Sequence, residues 1–575
     1  MINQDIKDII FKYAIKNAVD YGKASSSSVL GKVLSKLKAS DKSSVQELKA
    51  EVEAIVDTVN KLPSEKVAIE YSKFEKEFTK ENIDKIEATS KPNMTLPGAV
   101  VGAFATRYAP EPNGFMHIGN AKAAILAEEF SKIYKGKIFL YFDDTNPEKE
   151  KSEFVEAMKS DTNWLGINFA GSYYASDSIE EVYKYAKQAI KDNNAYVCTC
   201  TAELMKKNRF EMKECEHRSQ SVEENLALFE KMLAGGFNEG EAVLRFKGDM
   251  HSANTVMRDP TIMRVKKHEH YKQGNKYIVW PTYDFNTPIM DSLHGITDAI
   301  RSKEYELRNE LYYKILDSLG LRKPRVHLEA RLVIKNNITH KRVLRELINE
   351  GKIQGYNDPR LVTIAALRRR GVQPEAIRKF VLRFGMSKVD SVVDISMLLD
   401  ENKSIIDPIA KRMFYVDNPV KIIVEDAEPT SVELRMHPQA NLGTRKYEIK
   451  NTFYISKKDM IENIGKVVRL KDLYDIRIKN ASSNLAQAVK VDNPDDQAKK
   501  IQWVAEDNME RCEILIPENP LNDDGKFNEE SLKISGGFIE GAASNLKNGE
   551  ILQLERFGYC IVDDAQKMKF IFISK

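Results

Sequence analysis

Hydrophobic positions recur with a helical period through the first part of the chain. Apolar residues stand three or four positions apart in two stretches, at Ile6, Ile9, Ile10, Tyr13, Ala14 and Ala18 and at Leu48, Val52, Ile55, Val56 and Val59. This spacing predicts a highly charged helical domain over residues 1–92, with a loop at Ser25–Ser28 and a linker at 91–98. The segment carries no chemical motif, and we interpret it as a domain that binds a protein partner.

A different pattern begins after the linker, where apolar runs alternate with helical stretches. It predicts strands at 98–106 and 137–142, and helices from Ala121, near 148–160 and at 179–193. Between about 195 and 280 short strands, turns and a cysteine cluster interrupt this alternation. We therefore expect an α/β domain that carries an insert.

The last part of the chain changes from helical to all-β. A helix-rich stretch is predicted from about 341 to 415, and alternating apolar runs follow at 420–424, 467–470 and 551–554. No apolar run approaches the roughly 18 residues of a membrane span, and the first residues lack the features of a signal peptide. A formal net charge of +3 and five cysteines in 575 residues argue against a globally basic nucleic-acid binder and against a disulfide scaffold. We expect a multidomain, cytosolic protein.

The turn between the first strand and the first helix of the α/β region carries the most informative string, Arg107-Tyr-Ala-Pro-Glu-Pro-Asn-Gly-Phe-Met-His-Ile-Gly-Asn120. It places His117 and Gly119 at a helix N-terminus, where free backbone N–H groups and the helix dipole favour a phosphate. Asp143 and Asp144 follow the next strand, where ligands bind in such folds. A lone His-x-Gly turn favours a surface histidine, but the flanking Arg-x-Ala-Pro-x-Pro favours a nucleotide site.

A second constellation consists of potential metal ligands. Cys198-Thr-Cys200 is followed, after fourteen residues, by Cys215-Glu-His217. Thiolates and imidazole are good tetrahedral ligands for Zn²⁺, and a site with four protein ligands is structural rather than catalytic. Reduced surface thiols or a vestigial site are the alternatives. The isolated Cys512 and Cys560 are predicted to be core thiols.

These strings resemble those of class I aminoacyl-tRNA synthetases of the glutamyl and glutaminyl branch. The Arg107–Asn120 string is similar to the HIGH signature of this family, with Asn120 where a second histidine is usual. The string Ile338-Thr-His-Lys-Arg342 is similar to the KMSKS-type loop. There Lys341 matches the second lysine, His340 stands where serine is usual, and isoleucine replaces the first lysine.

The resemblance implies an ATP site and a glutamate pocket. It assigns catalysis to His117 and Lys341 and adds Gly119 and Asn120 to the ATP site. The glutamate-binding residues that it implies are Arg107, Ala109, Asp143, Tyr283, Thr287 and Arg301. Both arginines would face substrate carboxylates, which guanidinium groups bind through two parallel hydrogen bonds. The Arg301-Ser-Lys303 string favours glutamate over glutamine.

The same resemblance implies a domain plan. It comprises a helical N-terminal domain (1–92), a Rossmann-type core in two halves (98–195 and 279–342), an acceptor-binding insert with a zinc site (196–278), a helical connecting subdomain (343–415) and anticodon-binding β-barrels (416–575). The archaeal type of glutamyl synthetase has such barrels, and Met436-His-Pro438 with Leu442-Gly-Thr-Arg445 resembles their first element. Weak contacts to tRNA are expected at Arg368, Arg369, Arg370 and Arg445.

The implied function is ATP-dependent ligation of L-glutamate to tRNA(Glu) through a glutamyl-adenylate. Mg²⁺ should accompany ATP, and Zn²⁺ should be structural. Whether tRNA(Gln) is also charged is left open. A glutaminyl-tRNA synthetase and a non-catalytic tRNA-binding paralogue are the alternatives, and we expect a monomer.

Overall fold

The computed structural model describes residues 4–21, 23–36, 45–63, 66–67, 69–71, 73–74, 94–482, 484–492 and 497–575. The chain divides into two compact units, residues 1–92 and 93–575. Within the described ranges, every helix is too short or too polar to cross a lipid bilayer. Residues 91–93 of the predicted linker lie outside the described residues.

The first unit contains the helices α1 (Gln4–Tyr21), α2 (Ser26–Lys36) and α3 (Val45–Asn60). The apolar positions at helical spacing are buried against one another, including Ile6, Ile10, Ala14, Leu48, Val52, Val56 and Val59. The predicted loop at Ser25–Ser28 is wrong in part, because Ser26–Ser28 form the first turn of α2. Serine is favoured at helix starts as well as in loops, so composition alone did not separate the two.

The second unit begins with β1 (Ala105–Tyr108), α4 (Ile118–Ile133), β2 (Lys137–Phe142), α5 (Ser152–Trp164), β3 (Ser172–Tyr174) and α6 (Ile179–Lys191). The three strands form a parallel sheet in the order β1-β2-β3. The predicted strand at 137–142 is confirmed. The strand predicted at 98–106 is shorter than expected, because residues 98–102 form turns in which Gly98 and Gly102 adopt φ of 75° and 82°.

The insert consists of β4 (Ala195–Cys198), α7 (Ala202–Glu211), α8 (Val222–Leu233), β5 (Val243–Phe246), β6 (Thr261–Val265) and β7 (Val279–Pro281). Its strands form an antiparallel sheet in chain order. The sequence pattern missed the two helices. No residue of α7 is buried, so this helix has no apolar stripe from which a helical period can be read.

The α/β domain resumes with α9 (Tyr283–Leu293), β8 (Asp298–Ser302), α10 (Asn309–Ser318), β9 (Arg325–Glu329), β10 (Leu332–Ile334) and α11 (Lys341–Asn349). The pair β8–β9 is parallel. It lies beside β1, where the N–H of Thr297 donates to the carbonyl of Ala105 at 2.9 Å. The connecting elements α12 (Ile364–Arg369), α13 (Pro374–Leu382), β11 (Ser391–Val393) and α14 (Ser396–Ile406) follow. The predicted α/β core with an insert is therefore confirmed.

Short strands dominate the rest of the chain: β12 (Lys411–Met413), β13 (Tyr415–Asp417), β14 (Pro419–Glu425), β15 (Thr430–Arg435), β16 (Thr444–Ile449), β17 (Thr452–Ser456), β18 (Val467–Leu470), β19 (Asp475–Ala481), β20 (Leu485–Lys490), β21 (Lys499–Ile501), β22 (Val504–Ala505), β23 (Met509–Pro517), β24 (Leu532–Glu540), β25 (Ile551–Leu554), β26 (Gly558–Asp564) and β27 (Lys569–Ser574), with the helix α15 (Lys457–Glu462). They form two seven-stranded, barrel-like sheets and the hairpin β15–β16. The strands predicted at 420–424, 467–470 and 551–554 are confirmed. Cys512 and Cys560 are buried, as expected of core thiols.

Candidate active site

His117 is the N-cap of α4 and is held by a reciprocal pair of hydrogen bonds. Its Nδ1 accepts from the N–H of Gly119 at 3.1 Å, and its own N–H donates to Oδ1 of Asn120 at 3.2 Å. Because Nδ1 is the acceptor, the neutral ring carries its proton on Nε2. Burial and the positive charge of Lys341 lower the pKa of His117 to about 4. The imidazole is therefore a neutral N–H donor at neutral pH.

Lys341 is the first residue of α11 and reaches back to the same turn. Its Nζ bonds to Oδ1 of Asn113. A Cβ at Gly114 would lie 3.0 Å from the lysine Cδ, so glycine lets the two segments approach closely. Burial lowers the pKa of Lys341, although the negative charge of Glu111 opposes this. The N-cap residue of α11, His340, makes no side-chain cap.

The segment before Lys341 is anchored in two ways. Ile338, which stands in place of the usual first lysine, is buried in a hydrophobic cluster with Leu344, Leu347 and Ile353. The loop between β23 and β24 packs on this cluster, and the N–H of Leu521 donates to the carbonyl of Asn336 at 3.1 Å. The C-terminal sheet thus contacts the base of the segment that carries the lysine.

One cavity of about 570 Å³ joins most of the predicted ligands. Its lining includes His117, Gly119, Asn120 and Lys341, which were predicted to bind ATP, and Arg107, Ala109, Tyr283 and Arg301, which were predicted to bind glutamate. Asp143 and Thr287, which were also predicted to bind glutamate, are buried and do not line it. The cavity is large enough for a nucleotide next to a small amino acid.

Arg301 lies in the cavity wall inside a cage of tyrosines. Its guanidinium carbon is 5.3, 5.4 and 5.1 Å from the ring centroids of Tyr283, Tyr305 and Tyr312. Nη1 donates to Oδ1 of Asn309 at 3.2 Å, and Nε is buried with no partner among the described residues. No carboxylate neutralises this cation within the described part of the chain. The group is therefore available to an anionic ligand.

Arg107, in contrast, already has a carboxylate partner. Its Nε and Nη2 donate to Oδ1 and Oδ2 of Asp291 at 2.7 and 3.2 Å, and Nη1 donates to the carbonyl of Ile300 at 2.9 Å. Both side chains are buried. The structure gives Arg107 a role in joining β1 to α9 and β8, which sequence reasoning did not foresee because Asp291 is distant in the chain.

Negative groups crowd the end of β2. Burial and the carboxylates of Glu150, Glu111 and Asp144 raise the pKa of Asp143 to about 8. Asp144 is fully engaged, since it accepts from the N–H and hydroxyl of Ser176, both at 2.8 Å. The positive charge of Arg107 opposes these effects only in part.

A further pair in the cavity wall was missed by the sequence analysis. Lys122 of α4 and Glu329 of β9 are both buried, with Nζ 3.7 Å from Oε2. Nζ also bonds to the carbonyl of Ala330. Burial raises the pKa of Glu329 to about 7, against the opposing charge of Lys122. The pair ties the helix of His117 to the strand that leads toward Lys341.

The predicted metal ligands lie together in the insert. The donor atoms of Cys198, Cys200, Cys215 and His217 are all within 4.8 Å of one another. The Sγ atoms of Cys198 and Cys215 are 3.8 Å apart, and Nδ1 of His217 lies 3.5 Å from Sγ of Cys200 and 3.9 Å from that of Cys215. A tetrahedral zinc site with bonds of about 2.3 Å has edges of roughly 3.8 Å. Nε2 of His217 contacts Thr199 Oγ1 at 2.8 Å, which leaves Nδ1, the nitrogen nearest the sulfurs, able to bind a metal.

The arginines predicted to contact tRNA differ in exposure. Arg368 is exposed, while Arg369 donates two hydrogen bonds of 2.8 Å to an aspartate of β26. Arg370 is buried and donates to a backbone carbonyl of β27 at 3.1 Å. Arg445 is buried in an ion pair with Glu540. The structure therefore assigns Arg370 and Arg445 to the packing of the C-terminal sheets rather than to an RNA surface.

Comparison with known proteins gives a consistent result along the chain. Residues 103–405 match the family described as tRNA synthetases class I (E and Q), catalytic domain. Residues 410–493 and 500–563 match two families described as the anti-codon binding domain of the same synthetases.

Individual relatives match over nearly their whole length. A glutamate–tRNA ligase of Nitrosopumilus maritimus is 40% identical over 574 residues, which cover 99% of this chain and 100% of that protein. A glutamate–tRNA ligase of Pyrococcus furiosus is 37% identical over 581 residues, with 99% of each chain covered. A crystal structure of a glutamate tRNA ligase from Elizabethkingia meningosepticum with its amino acid matches at a TM-score of 0.40 and 19% identity, over 53% of this chain and 70% of that one.

Proposed function

The chain belongs to the class I tRNA synthetases of the E and Q branch, and we propose that it uses ATP to ligate L-glutamate to the 3′ end of tRNA(Glu). The observation that carries the choice of glutamate is the tyrosine-caged Arg301, whose cation lacks a protein carboxylate, in the cavity that also holds His117 and Lys341. A glutamate side chain supplies the missing anion. Glutamine would leave the cation unneutralised.

In the first step, the α-carboxylate of glutamate attacks the α-phosphorus of ATP and pyrophosphate leaves. We assign His117 and Lys341 to stabilising charge on the pentacoordinate phosphate, one as a neutral N–H donor and the other as a cation. Gly119 and Asn120 complete the phosphate site at the start of α4. Mg²⁺ would accompany ATP and would supply positive charge that offsets the charge of its phosphates.

The amino-acid end of the cavity holds glutamate in place for this attack. We assign the side-chain carboxylate to Arg301 and the α-ammonium group to Tyr283, which lines the cavity, and to Asp143, which is buried outside its lining and acts through its charge. Burial and neighbouring carboxylates raise the pKa of Asp143 to about 8, and a bound ammonium group would lower that pKa and favour the charged form. Correct placement of the two reactants supplies much of the catalysis in such a reaction.

In the second step, the terminal 2′-hydroxyl of tRNA attacks the carbonyl of the adenylate, and AMP leaves. We place the acceptor end against the insert and the anticodon against the C-terminal sheets, and we retain exposed Arg368 as a phosphate contact. The barrel-like sheets offer the kind of surface that binds single-stranded bases.

We further propose that the three cysteines and His217 hold a structural Zn²⁺. The donor set and its spacing fit a closed tetrahedral site, in which the ion crosslinks β4 to the segment after α7. The first unit, residues 1–92, is proposed to bind a protein partner, and the enzyme is proposed to act as a monomer.

The test uses the purified full chain with tRNA(Glu) and tRNA(Gln) transcripts and radiolabelled glutamate or glutamine. We expect ATP-dependent glutamylation of tRNA(Glu) and no incorporation of glutamine. Charging with glutamine instead would establish the glutaminyl alternative. Tight tRNA binding without charging of any kind would establish the non-catalytic paralogue. Glutamylation of tRNA(Gln) would add that tRNA to the substrates.

A further inference from the structure

Arg245 is a buried cation beside the cysteine cluster that the proposed reaction does not use. It lies on β5, where its backbone pairs with Tyr196 of β4, and its side chain is 1% exposed. Tyr196 and Cys198 are two residues apart in β4 and therefore share one face of the sheet. The register thus places Arg245 on the same face as the first cysteine ligand.

The guanidinium group reaches two of the sulfur atoms. Its Nη1 donates to Sγ of Cys198 at 3.9 Å and to Sγ of Cys215 at 3.8 Å. Nε donates to the backbone carbonyl of Asp259 at 2.8 Å, and Nη2 is buried with no partner in the part of the chain that the structure describes. The ring of Tyr196 lies 5.5 Å from the guanidinium carbon. The polar contacts of this cation are therefore sulfurs and one carbonyl.

The nearby carboxylate of Asp259 forms its ion pair with another arginine and makes no salt bridge with Arg245. Oδ2 of Asp259 accepts from the hydroxyl of Tyr196 and from Nε of Arg218, both at 2.9 Å, and Oδ1 accepts from the N–H of Gly248 at 2.9 Å. Asp259 thus has three other donors and makes its ion pair with Arg218. A buried cation without a paired anion is costly, so Arg245 requires negative charge from another source.

A zinc centre with three thiolates and one neutral imidazole carries a net charge of about −1. We propose that Arg245 is the buried counter-charge of this centre and that its two N–H···S contacts slow the loss of the metal. The inference rests on the structural zinc site proposed above. An arginine suits this place because Nη1 can contact both sulfurs while Nε donates to the carbonyl of Asp259, whereas an ammonium group offers a single nitrogen.

The experiment compares zinc retention in the full-length wild type and in R245M, R245K and R218M. Arg218 is the matched control, because it is a neighbouring arginine that pairs with Asp259 and Glu214 and is not a donor to either sulfur that Arg245 contacts. Bound zinc is measured by mass spectrometry after dialysis, and its release is followed by transfer to the chromogenic chelator 4-(2-pyridylazo)resorcinol. Circular dichroism before chelation verifies that each variant is folded.

We expect zinc in the wild type, release that is about 10- to 100-fold faster from R245M, and an intermediate rate for R245K. R218M should stay within about twofold of the wild type. Release from R245M at the wild-type rate would overturn the role of Arg245 and leave the zinc site standing. If R245M does not fold, the test uses R245K, and zinc release from R245K at the wild-type rate overturns the proposal. A wild-type chain that contains no zinc overturns both the site and its counter-charge, while the ligase proposal is judged separately by charging.

Discussion

Replacing Arg301 with methionine should weaken the binding of glutamate while leaving the fold intact. The methionine side chain has similar length and fills the tyrosine cage, but it removes the cation. Among the described residues, the wild-type guanidinium donates one hydrogen bond, from Nη1 to Asn309 at 3.2 Å. Its loss leaves no buried carboxylate unpaired in that part of the chain, in contrast to the loss of Arg107.

The binding free energy lost in R301M follows from the contacts that a glutamate carboxylate would make with Arg301. Each hydrogen bond to a charged group contributes about 1.5 to 3 kcal/mol, and a guanidinium fork makes two of them. Allowing for the desolvation of both ions, we expect a net loss of about 3 kcal/mol, or roughly a 100-fold rise in the KM for glutamate. R301K should show roughly a tenfold rise, because it keeps the charge but loses the fork.

The assay is glutamate-dependent ATP–pyrophosphate exchange in the presence of tRNA(Glu). Because Arg301 contacts a part of the substrate remote from the reacting atoms, its loss should raise the KM for glutamate and leave the KM for ATP unchanged. R383M is the control, since Arg383 is 44% exposed and pairs with Glu401 at the surface. A KM for glutamate within about threefold of the wild type in R301M would refute the reasoning.

Two further predictions concern the same cavity. H117A and K341A should each raise the barrier to pyrophosphate exchange by about 2 to 4 kcal/mol. R342A is the control, because it alters a side chain that is 88% exposed, and it should leave the rate unchanged. Equal rates in all three variants would refute the assignment. Burial raises the pKa of Glu329 to about 7 in the folded protein. The folded state therefore favours the protonated carboxyl, and the free energy of unfolding is highest below the pKa that Glu329 has in the unfolded chain. This stability is lost as the pH rises through about 7, where the buried carboxyl must ionise. Raising the pH from about 5 to about 8 should therefore lower the Tm of the wild type more than that of E329Q, and parallel curves would contradict this.

The sequence predicted best the features whose cause is local. Alternating apolar runs located strands such as 137–142, 467–470 and 551–554 with the bounds that the structure has. The four candidate metal ligands could be grouped from the sequence because they lie within twenty residues of one another, and the structure brings them together. The helix at 202–211 was missed because none of its residues is buried, and a helix without a buried face shows no periodic pattern of apolar residues.

The sequence could not show which arginines form ion pairs with a protein carboxylate, because the partners are distant in the chain. Arg107 stands in a motif that indicates a substrate ligand, yet its carboxylate partner Asp291 is 184 residues away. Arg445 likewise pairs with Glu540, which is 95 residues away. A local pattern shows where a cation stands in the chain but not which anion the fold brings to it. Arg301 is distinguished only by the absence of such an anion among the described residues, which required the structure.

The three departures from the family motifs, at Asn120, Ile338 and His340, have physical consequences for the proposed phosphate site. Asn120 uses its side-chain oxygen to accept from the N–H of His117, and this bond holds the imidazole at the start of α4. Because asparagine carries no charge and His117 is neutral, Lys341 is the one cation among the four residues assigned to ATP. His340 makes no side-chain cap for α11, so the segment before this lysine is anchored instead by the buried Ile338 and by the bond from Leu521 to Asn336. Loss of Lys341 should therefore slow adenylate formation more than loss of His117.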